Sequence, residues 1–216
     1  MSSRKPTKSY HHGHLKMALK KAALKLVRHK GPRGFSLNEA SRLAGVTAAA
    51  PYRHFVDKDT LLAEIISDGY AILAREVREA VQKVSGVQEQ MVEAGTAYLR
   101  FSVDHADYFS LMFNSGIDKS KYPQVQHSAH DAFSIIFGLA QKSESTMEAA
   151  HARALSAWAL VHGLATLNAD GALAEIADQK QNVEGLRPVL WDFVIRHKRE
   201  RDSWQSAELH GNRGFL

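Results

Sequence analysis

Hydrogen-bond donors cluster directly after a run of very small side chains, near the end of the first sixty residues. Tyr52, Arg53 and His54 carry a phenol, a guanidinium and an imidazole, and each can donate to a phosphate oxygen or to a base edge. Thr47 and the three alanines at 48–50 come just before them. Small side chains let a helix approach a groove closely, which major-groove readout requires. The pattern therefore predicts a surface that contacts double-stranded nucleic acid.

Two short helices joined by a tight turn are predicted to hold these donors in place. Ser36 is a good N-cap for the first helix, and Glu39 follows it at the capping-box spacing. The apolar residues of this helix share one face, and Gly45 can take the left-handed conformation that ends a helix. Thr47 is then expected to cap a second helix, with Pro51 near its first turn, where a missing N–H is least costly.

Charge is distributed unevenly along the chain. The net charge is +5, but residues 1–60 hold 13 Lys/Arg and 3 Asp/Glu, whereas the remainder holds 15 and 20. A basic segment of this kind favours a polyanion partner, although an ordinary basic surface gives the same count. Residues 1–10 form a basic arm that could lie along a minor groove or could simply fray in solvent.

Composition excludes several classes of protein. The N-terminus lacks the apolar core of a secretory signal, and no apolar run approaches the ~20 residues of a membrane-spanning helix. The chain has no cysteine, which suits a reducing compartment and excludes disulfides and thiolate chemistry. We therefore expect a cytoplasmic globular protein with no membrane partner.

Apolar residues at helical spacing predict an all-α fold, with no strand pattern and no glycine-rich phosphate loop. The first helix is expected over Leu15–Lys30, where Gly31 and Pro32 stop it. After the two short helices, the later ones are expected near residues 59–84, 87–105, 106–114, 123–141, 145–168 and 187–204. Pro188 fits the first turn of the final helix, and residues 176–187 are expected to form a loop or a short helix.

Two of the later helices carry broad apolar stripes. The stripes consist of Ala154, Leu155, Trp158, Val161, His162 and Ala165 in one helix, and of Leu186, Val189, Leu190, Phe193 and Val194 in the other. Two such helices could form a four-helix interface with a second copy of the chain. Alternatively, both stripes line the internal core.

A specific residue pattern, Y-x-H-F-x-x-K-x-x-L-L, starts at Tyr52 within the stretch GFSLNEASRLAGVTAAAPYRHFVDKDTLL. Together with the preceding YHHGHLKMALKKAALKLV, it makes the segment Tyr10–Ile66 resemble the TetR family of bacterial transcriptional regulators. A later W-x-x-x-H-G, at Trp158, His162 and Gly163, resembles the C-terminal domain of the TetR subgroup that is named for those three letters.

The resemblance implies an all-α homodimer with two domains. Residues 11–58 would form an N-terminal three-helix domain that binds a DNA operator, with the helix-turn-helix motif at about 35–54. Residues 59–216 would form a larger C-terminal helical domain for ligand binding and dimerisation. No cofactor, metal site or catalytic residue is implied.

The DNA-binding candidates all lie in or beside the helix-turn-helix motif: Ser36, Thr47, Ala48, Ala49, Tyr52, Arg53, His54 and Lys58. By the resemblance, Tyr52, His54 and Lys58 contact phosphates, while Arg53 and the small residues before it face the groove. Arg53 can read guanine bidentately, and a phosphate contact is an equal alternative. Lys58 also opens the next helix, and a helix N-terminus can bind phosphate.

The C-terminal domain of this family usually encloses a small molecule. The candidate lining residues are mostly aromatic: Phe101, His105, Tyr108, Phe109, Met112, Phe113, Phe133, Phe137, Trp158 and His162. Their mix indicates an apolar or aromatic effector. Aromatic residues at helical spacing are also what a core requires, and His162 could be a hydrogen-bonded core histidine.

The leading hypothesis is a sequence-specific DNA-binding regulator: a homodimeric repressor whose operator binding is modulated by a small ligand. One alternative is a metal-dependent helical hydrolase, because His127 and His130 could share a helix face beside Asp131. However, neither H-E-x-x-H nor G-x-S-x-G occurs. A second alternative is a helical module whose basic segment binds a protein partner.

Overall fold

The computed structural model describes residues 9–177 and 183–196, and within these ranges the chain is helical with no strand. The predicted all-α fold is therefore confirmed. In chain order the α-helices are α1 (Ser9–Lys30), α2 (Leu37–Leu43), α3 (Lys58–Gln82), α4 (Val87–Asp104), α5 (Ala106–Asn114), α6 (Pro123–Gln141), α7 (Met147–Ala169), α8 (Ala172–Ala177) and α9 (residues 183–196). Two 3-10 helices lie at Pro51–Arg53 and Lys119–Lys121.

Most helix boundaries follow local signals that the sequence displays. Helices α5 and α6 begin and end at the predicted residues, and α3, α4 and α7 differ from the prediction by one or two residues at their ends. Thr146 illustrates the cause: its side-chain oxygen accepts a hydrogen bond from the backbone N–H of Ala149 at 3.1 Å and so fixes the start of α7.

The prediction for the last helix was wrong at its start. The chain is already helical at residue 183, so Pro188 lies inside α9 and not in its first turn. Proline has no N–H, and the carbonyl of Glu184 therefore lacks its usual helical donor. Residues 183–187 belong to this helix and not to the loop or separate short helix that was predicted there. Residues 197–204 of the predicted helix, and the basic arm before residue 9, lie outside the described ranges.

Packing divides the chain into two compact units. The head unit comprises the described residues up to Ile72 together with His105–Asp131, and the body unit comprises Leu73–Asp104 with the described residues from Ala132 onward. The domains predicted from sequence have a different boundary, at residue 58, between a DNA-binding part and a ligand-binding part. That division stays a prediction.

Ion pairs join α1 to α3 within the head unit. Lys16 Nζ lies 2.6 Å from Glu64 Oε1, and Lys20 Nζ lies 3.1 Å from Glu64 Oε2 and 2.7 Å from Asp68 Oδ2. Burial lowers the pKa of Lys20, but its hydrogen bonds to Asp68 and Glu64 outweigh burial and raise the pKa above its ordinary value. The lysine-rich face of α1 is therefore partly an internal contact and not wholly a solvated one.

A second link joins α1 to α5 in the same unit. The Arg28 guanidinium donates from Nε and Nη2 to both carboxylate oxygens of Asp107, at 2.7–3.1 Å. A bidentate contact of this kind restricts the orientation of both side chains more than a single hydrogen bond does. Helix α5 thus packs with the first helix of the predicted DNA-binding segment.

Helices α4, α7 and α9 form the core of the body unit. A Cβ atom added to Gly95 of α4 would lie 3.0 Å from a Leu190 methyl carbon and 3.1 Å from a Val161 methyl carbon, so glycine permits this close packing. Arg153 is buried beneath α9, with its guanidinium 4.8 Å from the centroid of the Phe193 ring, and Nη2 donates to the Val194 carbonyl at 3.4 Å.

The two predicted apolar stripes divide between core and surface. The buried members are Ala154, Val161, Ala165, Leu186, Leu190 and Val194. Three large members remain exposed in the single chain: Leu155 at 54%, Val189 at 42% and Trp158 at 38%. The neighbouring Trp191 is also exposed, at 45%. Each stripe therefore lines the core on one side and leaves apolar surface on the other.

Candidate nucleic-acid interface

The first helix of the predicted motif begins with the expected capping box. The Glu39 N–H donates to Ser36 Oγ at 3.2 Å, and the Ser36 N–H donates to Glu39 Oε2 at 2.8 Å. Lys30 adds an ion pair to the same carboxylate at 2.5 Å. Hydrogen bonding to Lys30 first, and then to Ser36, lowers the pKa of Glu39 from its ordinary value to about 2.

The turn that follows α2 is also as predicted. Gly45 has a φ of 72°, in the left-handed region where glycine is favoured. Its N–H donates to the Arg42 carbonyl at 3.1 Å, and the Val46 N–H donates to the Ser41 carbonyl at 3.0 Å. These two bonds form a Schellman motif, which ends α2 and redirects the chain toward the residues that carry the donors.

The second helix of the motif differs from the prediction. Residues 48–50 form a turn and Pro51–Arg53 a 3-10 helix, and the residue at the N-cap of that 3-10 helix is Ala50, not Thr47. Pro51 explains the difference. It stands four residues after Thr47 and has no N–H, so the Thr47 carbonyl accepts instead from the Ala50 N–H at 3.0 Å.

The small residues and donors of this segment lie at the surface. Thr47, Ala48, Ala49 and Arg53 are exposed, and Tyr52 is 57% exposed. We call residues 47–54 the tip. Pro51 and, just beyond the tip, Phe55 are buried and hold the segment against the head unit. The tip is therefore accessible to a partner, as groove contact requires.

The side chains of three other DNA-binding candidates are already hydrogen-bonded within the chain or are poorly accessible to solvent. The ring of His54 is half-buried, and its Nε2 atom is not accessible to solvent. Lys58 Nζ donates to the Phe35 carbonyl at 3.2 Å. The Ser36 hydroxyl belongs to the capping box. Their contacts with phosphate stay predictions, and each would add to, or exchange with, an existing contact.

Asp57 is a residue that the sequence reasoning missed. Its Oδ1 accepts hydrogen bonds from the N–H and the hydroxyl of Thr60, both at 2.7 Å. These bonds hold the pKa of Asp57 below its ordinary value, with the backbone N–H of Thr60 as the main cause. A carboxylate thus already occupies the N-terminus of α3, where a phosphate was expected. The D-x-x-T spacing was the available signal.

The ligand-binding candidates divide between the two units. In the head unit lie His105, Tyr108, Phe109, Met112 and Phe113, and in the body unit lie Phe101, Phe133, Phe137, Trp158 and His162. Phe101 and Met112 have no exposed surface, and Phe109 is 5% exposed, so these three belong to the cores.

Polar and aromatic groups meet around His162 in the body unit. The Tyr98 hydroxyl and His162 Nδ1 share a hydrogen bond at 2.9 Å. The Trp158 ring lies 5.7 Å from the His162 ring and 6.4 Å from the Phe133 ring, centroid to centroid. A hydrogen-bonded histidine among aromatic rings fits a core position, and the partial exposure of Trp158 leaves one side of the group open.

The described residues also bear on the metal-dependent hydrolase alternative and on the expected lack of a membrane-spanning helix. His127 and His130 are exposed on α6, and in the ranges described no three His, Asp or Glu side chains are placed to share one metal ion. None of the helices described in the structure combines the length and apolar character that crossing a bilayer requires.

Two family models match the chain. The model for bacterial regulatory proteins of the tetR family matches residues 19–65, and the model for the tetracyclin repressor-like C-terminal domain matches residues 91–186. The first covers the capping box, the Gly45 turn and the tip. The second includes the W-x-x-x-H-G residues, although its description does not name that subgroup, which stays a prediction. The comparison with curated proteins finds no significant match.

Solved structures share the fold over most of the chain. A protein of unknown function from Rhodococcus sp. RHA1 is 27% identical, with a TM-score of 0.73 over 88% of this chain and 98% of that one. A tetR-family regulatory protein from Rhodococcus RHA1 is 15% identical, with a TM-score of 0.59 over 70% and 83%. The transcriptional regulator FadR from Bacillus subtilis, in complex with stearoyl-CoA, is 12% identical, with a TM-score of 0.62 over 82% and 96%.

The two family models agree with the local structure that they cover. The N-terminal match coincides with a capped helix, a glycine turn and an exposed donor-bearing tip, and the described residues of the C-terminal match form helices and their connecting turns. This chain is therefore a member of the TetR family of bacterial transcriptional regulators, and its function is DNA-binding regulation of transcription.

Proposed function

We propose that the protein is a homodimeric repressor that binds a DNA operator through its tip and is modulated by a small apolar or aromatic ligand. The observation that carries the proposal is the tip itself: exposed small residues followed by exposed Tyr52 and Arg53, held by a capped helix and a Schellman turn. Such a protein acts in the cytoplasm, where its operator lies.

Exposed apolar surface in the body unit supports the dimer. Leu155 and Trp158 of α7, with Val189 and Trp191 of α9, keep between 38% and 54% of their surface exposed in the single chain. Apolar surface on two helices is suited to a two-fold interface, in which each helix pairs with its symmetry mate. Two tips in one dimer would contact two operator half-sites and so strengthen binding.

The aromatic group around His162 supports a ligand with an apolar or aromatic part. Phe133 and Trp158 offer ring faces, while the Tyr98–His162 pair offers a polar anchor in the same unit. The Bacillus subtilis FadR structure holds stearoyl-CoA, which has a long apolar chain, and FadR has the same fold. We infer that the ligand relieves repression by weakening operator binding.

A DNA-binding titration tests the proposal. The full chain would be titrated into a labelled duplex from upstream of its own gene, at several salt concentrations, by fluorescence anisotropy. Tyr52→Phe removes an uncharged donor and should weaken binding at every salt concentration alike. Arg53→Gln removes an exposed cation of the tip and should reduce the slope of log K against log salt by about 0.9 if that cation neutralises a phosphate. Lys83→Gln is the matched control, since Lys83 is an exposed lysine of the body unit.

Three results would contradict parts of the proposal. If a random-site selection yields no preferred duplex, the tip is not a sequence reader, and the protein-interaction alternative gains support. If Tyr52→Phe leaves the affinity unchanged, Tyr52 is not a phosphate contact. If Arg53→Gln and Lys83→Gln leave the salt slope equally unchanged, Arg53 does not neutralise a phosphate.

A further inference from the structure

A solvent-open depression of about 540 Å³ lies in the head unit, lined by none of the residues of the tip. Its walls are residues 30–33, which join α1 to α2, and Phe113, Asn114 and Gly116 at the end of α5. The volume falls within the roughly 300–1,000 Å³ of small-molecule sites. One side of the depression is thus cationic and the other is aromatic and polar.

Arg33 is the unusual residue of this site. A Cβ atom at Gly116 would lie 2.3 Å from Arg33 Nη2 and 2.8 Å from Nε, so the guanidinium rests directly on the glycine backbone. Among the residues that the structure describes, Arg33 makes no hydrogen bond or ion pair. The neighbouring cations differ, because Arg28 is paired with Asp107 and Lys30 with Glu39. A positioned guanidinium therefore faces the depression without a counter-charge from the described residues.

Phe113 gives the site a firm aromatic wall. Its ring centroid lies 4.9 Å from that of Phe109 and 6.3 Å, edge to face, from that of Tyr70. Lys119 Nζ lies 5.7 Å from the same ring centroid and adds positive charge nearby. Asn114 also lines the depression, and its side-chain amide can both donate and accept.

We propose that this depression binds a small organic anion in which a carboxylate or phosphate is attached to an aromatic ring. The planar guanidinium of Arg33 matches the two oxygens of such an anion, and the ring of the ligand would stack near Phe113. This site is separate from the aromatic group around His162, and it does not depend on the proposed repressor mechanism.

A pair of probes that differ in charge tests the proposal directly. The ¹⁵N-labelled full chain would be titrated with 2-naphthoate and with its neutral analogue 2-naphthamide, following the amide signals of Gly31, Asn114 and Gly116. Saturable shifts at these amides are expected with naphthoate, and binding of naphthamide should be at least about tenfold weaker. Equal affinity for the two probes, or shifts confined to other residues, would overturn the proposal.

Variants separate this site from general surface binding. Arg33→Gln should weaken naphthoate binding at least about tenfold, whereas Arg42→Gln, at another exposed arginine of the head unit, should leave it unchanged. Gly116→Ala should also weaken binding, because its new methyl group displaces the guanidinium. Equal effects of the two arginine variants would refute the site. If operator DNA shifts these amides and naphthoate does not, Arg33 is a duplex phosphate contact and the proposal is wrong.

Discussion

Lys58 Nζ lies 3.2 Å from the carbonyl oxygen of Phe35 and 5.2 Å from the centroid of the Phe35 ring. Lys58 is the first residue of α3, and Phe35 lies just before Ser36, the N-cap of α2. The contact therefore links the start of α3 to the start of α2. An ammonium group has three donors, so this contact leaves capacity for a phosphate oxygen. One side chain can therefore stabilise the motif and also contact the duplex.

Lys58→Met is expected to lower both the free energy of unfolding and the affinity for DNA. The carbonyl of Phe35 loses a charged donor, which contributes about 1.5–3 kcal/mol in a typical case, and partial solvent exposure of Lys58 places the expected loss at the lower end. Urea denaturation measures the first effect, and the salt slope of operator binding measures the second. If stability falls while the salt slope equals that of the wild type, Lys58 is structural and makes no phosphate contact.

Glu39→Gln should change how stability depends on pH. The pKa of Glu39 is lowered to about 2 in the folded chain from an ordinary value of 4.5, chiefly by its hydrogen bond with Lys30. A lowered carboxyl pKa stabilises the fold above the ordinary value, and this contribution is lost as pH falls toward the folded value. The variant should therefore be less stable than the wild type at pH 6, with the difference shrinking between pH 4.5 and 2.

Urea titrations at pH 6, 4 and 3 would measure that difference in unfolding free energy. Glu89→Gln, at an exposed glutamate of α4, is the control and should run parallel to the wild type. A constant gap between Glu39→Gln and the wild type across this range would show that the Glu39 carboxylate is not the titrating group.

Two glycine substitutions should have opposite effects. Gly45→Ala forces a side chain into the left-handed region at φ 72° and should destabilise the chain by about 1–2 kcal/mol. Gly138 lies inside α6, and an added Cβ would meet no atom within 4 Å. Gly138→Ala should therefore stabilise the chain by about 0.5–1 kcal/mol. Thermal unfolding would measure both, and a destabilising Gly138→Ala would show that this open face is needed in the assembled protein.

A charge in the exposed apolar surface of α9 should weaken self-association. Val189 is 42% exposed in the single chain, and Val189→Lys should raise the dimer dissociation constant at least about tenfold if this surface is buried between two copies. Sedimentation velocity over a concentration series would measure it. Met17→Lys, at a 56% exposed position of the head unit, is the control. Equal dissociation constants for both variants and the wild type would place the interface elsewhere.

Local chemistry explains which parts of the motif could be predicted from sequence. The Ser36–Glu39 capping box and the Gly45 turn depend on residues within a few positions of one another, so their spacing was sufficient. The start predicted at Thr47 and the position of Pro188 were wrong for one shared reason: a proline is compatible with a helix start, and the sequence did not fix where that start lies. In the structure the tip has no regular α-helix before Pro51, and the chain is already helical at residue 183.

Contacts between distant positions could not be predicted in this way. Lys58 meets Phe35 across 23 residues, and Arg33 lies on Gly116 across a longer span. Nothing in the local spacing distinguishes these cations from Lys21 or Arg42, which are exposed. The aromatic candidates show the same limit, since their helical spacing did not reveal that they divide between two compact units.

The short-range bonding around Pro51 bears on how this protein can meet different DNA sequences. Bonds that span three residues have poorer geometry than those of a regular helix, so less bonding energy is lost when such a segment changes shape. If the tip enters a groove as proposed, the segment from Thr47 to Arg53 is therefore the part of the motif that can change shape, while the buried Phe55 keeps its base fixed. Adaptation to operators that differ in groove width would then be confined to a few backbone angles, with the rest of the scaffold unchanged.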